Sequence, residues 1–573
     1  MTRRGGTGRR LVTPARAFVA FSIIAAVLLA AWLAPFTRTA PATPVDPAAL
    51  VQQGRTVSAA EQSQQTLLTS EDDRLRGLGS ALRLDSAPYV ALVGGTETLV
   101  LTPRGLDYDL ADLVRWGAAQ QEPTDVLLTR SVLVAPGAEL TIAAPGGALR
   151  MSSDPSGFTT LVALKARITL AGGPGQPLTV TAWDPAQNAP DTLVDDGRSY
   201  IRTVGGRLDV TDVRLDHLGF WSGRTGGVAY TGSSSGPATG RITDSAFLDG
   251  HYGVFASGAE NLKVSGSEFS DNEADGLGLH RFTTSTSVTS SVADGNGRNG
   301  VSADQGSAGL TLTELTANSN AGYGVYFDGA PLSSGPSAGG TPLQAYGGLT
   351  VTGGELSRNT SGGVRVVDAN DVNVSGTTLV GNRDGVILVD TVAPATVTGT
   401  TIRDADRFAI TATGGEASVT DNEVTDAATG IRVRDIRATV AGNTVEKASD
   451  HGISVVGDAV GSSLVDNRIS GRGPSGLDLN RLSAGVRVAQ SGNDDDGWTT
   501  DRDDWVYWST FVPEHPLLLL WTVVLGVPLI MTLVARGRRP AVGASPYRQD
   551  IRRDRPRPLR VQAGSVVPSG SGG

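Results

Sequence analysis

The chain contains 573 residues, including 74 glycines, five histidines, three methionines and no cysteine, and its formal net charge is −10. The absence of cysteine excludes disulfides, thiolate metal sites and a thiol nucleophile. The few histidines and methionines leave little material for a soft-metal site. We therefore expect no metal or other cofactor, and a copper-handling role is disfavoured.

Charge is distributed unevenly along the chain. Residues 1–38 contain six arginines and no acidic residue, and residues 536–573 contain nine arginines and two aspartates. The intervening residues 39–535 therefore carry a net charge of −23. A field of this sign repels nucleic acid, so no nucleic-acid partner is expected.

Two apolar segments are predicted to be transmembrane helices. The first, 17–35, follows a basic tail at 1–16, and the second, 516–535, precedes the arginine-rich tail 536–573. About 20 apolar residues suffice to span a bilayer, and the positive-inside rule places both tails in the cytoplasm. The sequence thus predicts a cell-membrane protein whose residues between the two spans are extracellular. A cleavable signal peptide at the first segment is the alternative.

Two less regular regions flank the central part of the chain. Residues 36–124 are interpreted as a stalk and N-terminal cap, with helix within Ala59–Leu84 and a short amphipathic helix at Asp107–Ala118. Residues 484–515 are interpreted as a juxtamembrane linker with interfacial aromatic residues. The acidic run 494–496 in this linker fits either a calcium site or a solvated segment.

A repeat extends from about residue 205 to residue 483, and residues 125–200 are expected to form the first coils of the same domain, 125–483. Each unit has a glycine followed by alternating apolar residues, and most of these glycines are 22–24 residues apart. The runs have the two-residue period of β-strands rather than the 3.6-residue period of helices. Short strands stacked with one coil per unit predict an all-β, right-handed parallel β-helix, a solenoid. The clearest units begin at Gly253, Gly276, Gly300, Gly324, Gly363, Gly385, Gly430, Gly452 and Gly476.

Several units also carry an asparagine three residues after a second apolar position. These asparagines are expected to stack at a turn, where each side-chain amide bonds to the next coil. Later units place the asparagine before the apolar position instead. The predicted members are Asn272, Asn318, Asn359 and Asn382 in the earlier units and Asn422, Asn443 and Asn467 in the later ones.

The register of the repeat predicts which side chains point out of the solenoid. Residues two and four after each glycine point outward, and equivalent residues of neighbouring coils lie about 4.8 Å apart. One groove should therefore collect a histidine, carboxylates, a phenol and a cation, although a solvated polar face is the alternative. The predicted catalytic residues are His280, Asp304, Tyr326, Asp328 and Arg365, with Arg281, Ser302 and Phe255 as substrate-binding residues beside them.

The segment Asp275–Asp328 resembles the central coils of mannuronan C5-epimerases. Those enzymes carry an Asp-Pro-His-Asp motif on a β-helix strand, with the histidine four residues after the coil glycine. His280 occupies that position in this chain, whereas Gly278, Arg281 and Gln305 stand where the family has aspartate, aspartate and arginine. The resemblance implies a right-handed β-helix that acts on a glycan, with His280 in a catalytic role.

The first functional hypothesis is epimerisation or β-elimination of a uronate during exopolysaccharide maturation. Both reactions begin with removal of the C5 proton, which requires a base, a cation to offset the substrate carboxylate and a proton donor. His280 would be the base, and Asp304 would orient it. Arg365 or Arg281 would supply the cation, and Tyr326 would donate the proton.

Two other hypotheses stay open. The carboxylates of Asp304 and Asp328 are also suited to glycoside hydrolysis. A non-catalytic, glycan-binding scaffold in polysaccharide assembly or export is the third hypothesis, because two membrane spans would hold a long groove near the membrane. The expected partners are a polysaccharide, the membrane, and a polysaccharide synthase or export complex.

Overall fold

A computed structural model describes residues 47–123, 125–331 and 345–500, with side chains from Gln62 onward. The predicted transmembrane segments and both tails lie outside these residues. No helix within the described ranges is both long and apolar enough to cross a membrane.

Parallel strands stack into a solenoid of about 15 turns. We number the coils 1 to 15 by their strands in sheet 1, the sheet whose outer face carries the candidate site. Each strand of sheet 1 pairs in parallel with its equivalent in the next coil. In coil order these strands are Thr96–Leu101, Ser131–Val134, Thr160–Leu164, Tyr200–Val204, Val228–Thr231, Val254–Ser257, Leu277–His280, Val301–Ala303, Tyr323–Asp328, Gly362–Val367, Asp384–Thr398, Thr401–Thr420, Glu423–Arg434, His451–Gly457 and Ser475–Leu482.

Two further sheets complete each coil, and the long strands of coils 11 to 13 bend around a corner to join them. Sheet 2 contains Glu139–Ala143, Arg167–Ala171, Arg207–Thr211, Thr239–Thr243, Lys263–Ser265, Thr284–Thr289, Ala308–Thr313, Gly347–Thr352, Asn370–Ser375, Arg437–Ala441, Ser463–Val465 and Ala489–Ser491. Sheet 3 contains Val126–Leu128, Ala148–Asp154, Leu178–Asp184, Val213–Asp216, Ala246–Leu248, Glu268–Ser270, Thr378–Val380, Thr444–Ala448, Arg468–Gly473 and Asp494–Thr500.

The remaining elements lie outside the three sheets or pair with their strands in antiparallel orientation. They are helix α1 (Pro47–Ser80), helix α2 (Leu110–Arg115), the 3₁₀ turn Gly223–Thr225, and the antiparallel strands Tyr89–Val93, Ala119–Gln121, Gly157–Phe158 and Ala189–Pro190. Helix α2 is shorter than the helix predicted at Asp107–Ala118, and a capping box between Asp109 and Asp112 marks its start.

The alternation of side chains along each strand explains the core. Leu277 and Leu279, one and three residues after the coil glycine, are at most 2% exposed. Their equivalents in the other coils build a continuous apolar core from Leu99 to Ile469. The prediction of an all-β parallel β-helix is therefore confirmed.

Two ladders of buried asparagines run along corners of the solenoid. Within each ladder, Nδ2 of one asparagine donates to Oδ1 of the next, at 2.9–3.2 Å in the first and 2.8–2.9 Å in the second. The first ladder is Asn272, Asn296, Asn320, Asn359 and Asn382, and the second is Asn422, Asn443, Asn467 and Asn493.

The predicted ladder position of Asn318 is wrong. Its Oδ1 instead accepts the backbone N–H of Ser357 at 2.7 Å. The bridges from Thr316 to Val292 and to Glu355 align Ala317, rather than Leu315, with Phe269 and Leu356. Asn320 lies three residues after Ala317 and therefore occupies the ladder position. The three-residue offset holds, and the error lies in the choice of the apolar residue.

Helix α1 lies across the outer face of sheet 1 in coils 1 to 4. Leu78, which is 2% exposed, joins Val100, Leu133 and Val162 in a second apolar cluster outside the solenoid core. The sequence predicts a stalk in this region. The structure instead docks the helix on the sheet, because leucines on one side of the helix match an apolar outer face.

A buried polar network adds to this docking. Glu71 and Arg74 of α1 form an ion pair at 2.6 Å with side-chain exposures of 7% and 4%. Arg74 also donates to Thr98 at 2.8 Å and Thr160 at 2.9 Å, and the hydroxyl of Tyr200 donates to Glu71. Each partner comes from a different coil, so the network ties α1 to three turns of the solenoid.

The C-terminal end of the solenoid is a strand rather than a simple linker. The strand Asp494–Thr500 pairs with Arg468–Gly473, and its acidic residues 494–496 are exposed. Trp498 packs on the last part of the core, and its Nε1 donates to the carbonyl of Gly473 at 3.2 Å. This ring therefore covers core residues that would otherwise face solvent.

Candidate functional site

The candidate site lies where the cover of α1 ends. The turn 221–224 and the outer face of coils 6 to 8 enclose a pocket of about 450 Å³. Nη1 of Arg224 in this turn lies 2.9 Å from Oδ2 of Asp72 in α1, so the helix is tied to one pocket wall. The side chains with acid–base or recognition chemistry in the lining are Tyr252, Phe255, Asp275, His280, Arg298 and Asp304.

His280 is the last residue of its strand in coil 7, and its outward direction follows from the register of the coil. Its Nδ1 lies 2.5 Å from Oδ1 of Asp304 in coil 8. Because a carboxylate accepts hydrogen bonds, Nδ1 carries a proton, and in the neutral imidazole Nε2 then presents a lone pair. The imidazole also packs beside Phe255, with ring centroids 5.8 Å apart. The structure thus brings the predicted histidine and carboxylate together.

A buried carboxylate, Asp275, organises the pocket beside this pair. It is 2% exposed and accepts the backbone N–H of Asn299 at 3.0 Å, the hydroxyl of Ser302 at 2.9 Å and Nε of Arg298 at 2.9 Å. Nη2 of Arg298 donates to the Tyr252 hydroxyl oxygen at 2.8 Å. Because Asn299 and Ser302 hold Asp275 in place, the two bonds from Nε and Nη2 of Arg298 to this carboxylate fix the guanidinium in one orientation.

The electrostatics of the pocket follow from these contacts. Burial alone opposes the charged form of Arg298, but the hydrogen bonds and charge of Asp275 outweigh it and raise the pKa of the guanidinium. Burial raises the pKa of Tyr252, although the charge of Arg298 opposes this shift. Arg298 is therefore a permanent cation, and Tyr252 is a neutral phenol. Since the Tyr252 oxygen accepts from Arg298, its own proton is available to another group.

Tyr326, Asp328 and Arg365 continue the groove in coils 9 and 10 and do not line the pocket around His280. The Tyr326 hydroxyl donates to Oδ2 of Asp328 at 3.3 Å, and burial, with the charge of Asp328, raises the pKa of Tyr326 to about 12. The ring of Tyr323 stacks on Tyr326 at 5.9 Å, and the guanidinium of Arg365 lies 5.8 Å from its centroid. These residues form a second, aromatic part of the same groove.

The three predicted binding residues do line the pocket, but in different ways. Phe255 and Ser302 are only 9% and 7% exposed, and the hydroxyl of Ser302 is committed to Asp275. Nε of Arg281 donates to Oε1 of Gln305 at 3.2 Å. The Phe255 ring therefore forms part of the pocket wall, and the Ser302 hydroxyl holds Asp275 in place. Arg281 lies at the open edge of the pocket.

Sequence reasoning missed Asp275, Arg298 and Tyr252. One signal was available, because the same kind of ion pair recurs further along the chain between Asp384 and Arg407. In both pairs the arginine follows the aspartate by 23 residues, and the aspartate immediately precedes a coil glycine. This spacing brings two corner residues of adjacent coils into contact.

Two family models match parts of the chain. Residues 222–335 match the family described as a right handed beta helix region. This match agrees with the fold, which is a right-handed parallel β-helix. Residues 337–481 match the family described as periplasmic copper-binding protein (NosD). No curated protein matches the chain significantly.

Several solved structures are similar to the chain at low sequence identity. The periplasmic alginate epimerase AlgG is 14% identical with a TM-score of 0.45, over 72% of this chain and 95% of that chain. The A-module of the Azotobacter vinelandii mannuronan C-5 epimerase AlgE6 is 17% identical with a TM-score of 0.40, over 64% and 90%. The catalytic domain of a GH87 α-1,3-glucanase is 14% identical with a TM-score of 0.36, over 65% and 70%.

The residues of this chain do not fit the copper named in one of the matched families. Residues 337–481 contain a single histidine, His451, and neither cysteine nor methionine, whereas protein copper sites draw on imidazole, thiolate and thioether ligands. Within the described ranges, no group of three or more His, Cys, Asp or Glu side chains is placed to hold a metal ion.

Proposed function

We propose that the protein binds a uronate-containing polysaccharide in the groove of sheet 1 and removes the C5 proton of one sugar residue. The observation that carries this proposal is the pair of His280 and Asp304 at 2.5 Å, in the same pocket as the fixed cation Arg298. Proton removal beside a carboxylate requires a base together with a positive charge that stabilises the anion formed.

His280 is the base in this proposal. Its Nε2 takes the C5 proton, and Asp304 holds the tautomer and stabilises the imidazolium that forms. The electron pair of the broken C–H bond moves into the substrate carboxylate. Epimerisation then returns a proton to the opposite face of C5. β-Elimination instead breaks the C4–O bond and forms the C4–C5 double bond, and the departing O4 oxygen takes a proton from the Tyr252 hydroxyl.

In this proposal the cation and the proton donor are different residues from those expected from the sequence. Arg298 takes the role first given to Arg365 or Arg281, because it lines the His280 pocket and has a fixed orientation. Tyr252 replaces Tyr326 as the donor for epimerisation, since it lines this pocket with its proton available. The resulting phenolate and imidazolium exchange protons with water before the next turnover.

An anionic substrate is supported by arginines further along the groove. Arg365 and Arg432 belong to the same outward column of sheet 1. The ring of Phe408 lies 4.9 Å from the guanidinium of Arg407 and 5.0 Å from that of Arg432. Guanidinium groups along one face of an otherwise acidic domain favour a ligand with carboxylates.

The proposal also includes the cellular setting expected from the sequence. Two membrane spans with cytoplasmic tails would hold the solenoid outside the cell, where a secreted polysaccharide emerges. A synthase or export complex would then supply the substrate. Protease protection of tagged termini in intact cells measures this topology, and a digested tag would contradict it.

The test of the chemistry is hydrogen exchange into substrate. Incubation of the full-length protein with polymannuronate, polyguluronate or polyglucuronate in D₂O should introduce deuterium at C5. His280→Ala should abolish the exchange without lowering Tm, because the side chain is 27% exposed. Arg298→Gln should reduce kcat at least about 100-fold.

Other outcomes separate the alternatives. No exchange and no unsaturated product with any of these polymers would contradict the proposal, and glycan binding without either would favour the non-catalytic scaffold. Release of reducing ends without an unsaturated product would favour hydrolysis by Asp304 and Asp328. Both carboxylates are bonded to a neighbouring side chain in the structure, which favours supporting roles for them.

A further inference from the structure

The backbone takes an unusual path directly after His280. Arg281 has φ of 38° and Phe282 has φ of 60°, so two consecutive residues that are not glycine occupy the left-handed region. A bulky side chain is rarely found there, because its Cβ approaches the following carbonyl oxygen. Such conformations concentrate at functional sites, where the side chain is needed in that place.

The neighbouring coils show what the turn itself requires. Gly258 in coil 6, with φ of 65°, aligns with Arg281. In coil 8, Gln305 aligns with Arg281 at φ of 48°, and Gly306 aligns with Phe282 at φ of 85°. Glycine reaches these angles without strain. Phe282 is also 49% exposed, so burial of an apolar side chain does not account for a phenylalanine in this position.

The surroundings hold the Phe282 ring in place. Its centroid lies 6.4 Å from that of Tyr346, with the rings at 68°. A Cβ atom on Gly306 would lie 3.2 Å from both rings, so the glycine makes room for them. One side of the Phe282 ring therefore contacts Tyr346 and Gly306, and the exposed part of the ring faces away from them.

This open surface is continuous with the His280 pocket. A shallow groove of about 630 Å³ is lined by Phe282, Arg281 and Ser257. Arg281 and Ser257 also line the pocket that contains His280. A ligand residue placed on Phe282 would therefore be next to one placed at His280.

We infer that Phe282 is a stacking platform for a pyranose ring of the polysaccharide, adjacent to the ring that reacts at His280. This inference rests on the proposed glycan-binding function and adds a second binding subsite to it. The C–H groups on one face of a pyranose are apolar and pack on an aromatic face, as other apolar groups do. The neighbouring Arg281 supplies a positive charge for a uronate carboxylate.

The test compares binding with stability in the full-length protein. The probe is a ten-residue oligomannuronate, measured by calorimetry, with oligoglucuronate as a second probe. Phe282→Gly should weaken binding about tenfold, the loss expected for one aromatic contact. The same change should not lower Tm, because glycine relieves the left-handed strain. Phe282→Tyr should bind within about twofold of the unchanged protein.

Val392→Gly is the matched control. Val392 is 66% exposed and lies four coils further along, where the strand Asp384–Thr398 bends at a corner. Its removal should leave binding unchanged. Equal affinity of Phe282→Gly and the unchanged protein would overturn the platform, as would equal losses in Phe282→Gly and Val392→Gly. Absence of binding of either probe to the unchanged protein would overturn it as well.

Hydrogen exchange distinguishes this inference from the proposed chemistry. If the unchanged protein exchanges deuterium, Phe282→Gly should raise KM about tenfold and leave kcat within about twofold. Exchange with an unaltered KM would overturn the platform and leave the chemistry standing. Binding that depends on Phe282 without any exchange would support the platform and contradict the chemistry.

Discussion

The outer face of sheet 1 has opposite character in two regions of the same solenoid. In coils 1 to 3 the outward column is Val100, Leu133 and Val162, which α1 covers. In coils 9, 10, 12 and 13 the same column contains Tyr326, Arg365, Thr411 and Arg432, which are partly exposed. The backbone register is shared, so side-chain chemistry alone decides whether this face receives a helix or remains open for a ligand.

The two regions also differ in what holds neighbouring coils together. The asparagine ladders extend from Asn272 to Asn493, across coils 6 to 15. In coils 1 to 4, α1 connects Thr98, Thr160 and Tyr200 through its buried ion pair. Neighbouring coils are therefore connected either by asparagine side chains at a corner or by a helix that packs on the outer face. The following predictions test this difference, from the largest expected effect to the smallest.

Leu133→Asp should have the largest effect on stability. Leu133 is 2% exposed beneath α1, so the change buries a carboxylate without a partner and should cost about 3–5 kcal/mol. Thr411→Asp introduces the same group at a half-exposed position of the same column in coil 12 and should cost less than about 1 kcal/mol. Denaturant unfolding followed by circular dichroism measures both. Similar costs would contradict the distinction between covered and open coils.

Glu71→Ala should destabilise the covered region by about 2–4 kcal/mol, because it leaves Arg74 buried without its partner. The exposed pair of Arg437 and Glu416, with side-chain exposures of 67% and 37%, provides the comparison. Glu416→Ala should cost at most about 0.5 kcal/mol. Thermal unfolding gives both values, and a larger loss for the exposed pair would show that α1 contributes little.

Asn296→Ala should cost about 2 kcal/mol, since it removes a ladder member and leaves the backbone N–H and one Nδ2 hydrogen of the buried Asn272 without an acceptor. Asn493→Ala, at the part-buried end of the second ladder, should cost about half as much. Hydrogen exchange of the backbone amides in coils 6 to 8 locates the effect. Unchanged protection in these coils after Asn296→Ala would rule out the ladder as their main support.

The alkaline limit of stability should reflect the covered region most strongly. Burial, with the charge of Glu71, raises the pKa of Tyr200 well above its usual value, while Tyr326 in the open groove has a pKa of about 12. The folded state therefore keeps these protons above about pH 10, where the unfolded chain loses them. Stability is full below that pH and declines as pH rises further.

Tyr200→Phe should therefore reduce the loss of stability between pH 9 and 11 by about 1 kcal/mol, and Tyr326→Phe by no more than this. Urea unfolding at each pH, referred to the value at pH 8 for the same variant, measures the change. An unaltered pH dependence in Tyr200→Phe would show that this proton is not linked to folding.

The local repeat pattern predicted part of the candidate site. The residues that it misplaced or missed lie at corners between strands. Alternation within a strand predicted the outward direction of His280 and its contact with Asp304, because parallel strands stack in register. The same reasoning failed for Asn318, because the apolar position before the ladder in that coil is Ala317 rather than Leu315. It also could not assign Arg298, which lies in a corner. Corner residues take their positions from the path of the whole coil rather than from a two-residue period.

The sequence by itself determined the parallel β-helix, its register and the neighbourhood of His280 and Asp304, since each depends on a short repeat and on contacts between adjacent units. Only the tertiary structure decided that α1 covers coils 1 to 4, and that Asp275, Arg298 and Tyr252 converge beside His280. The bond from Tyr200 to Glu71 joins residues 129 positions apart, a separation that no local pattern specifies. Such contacts arise from matching surfaces, which exist only after the coils have stacked.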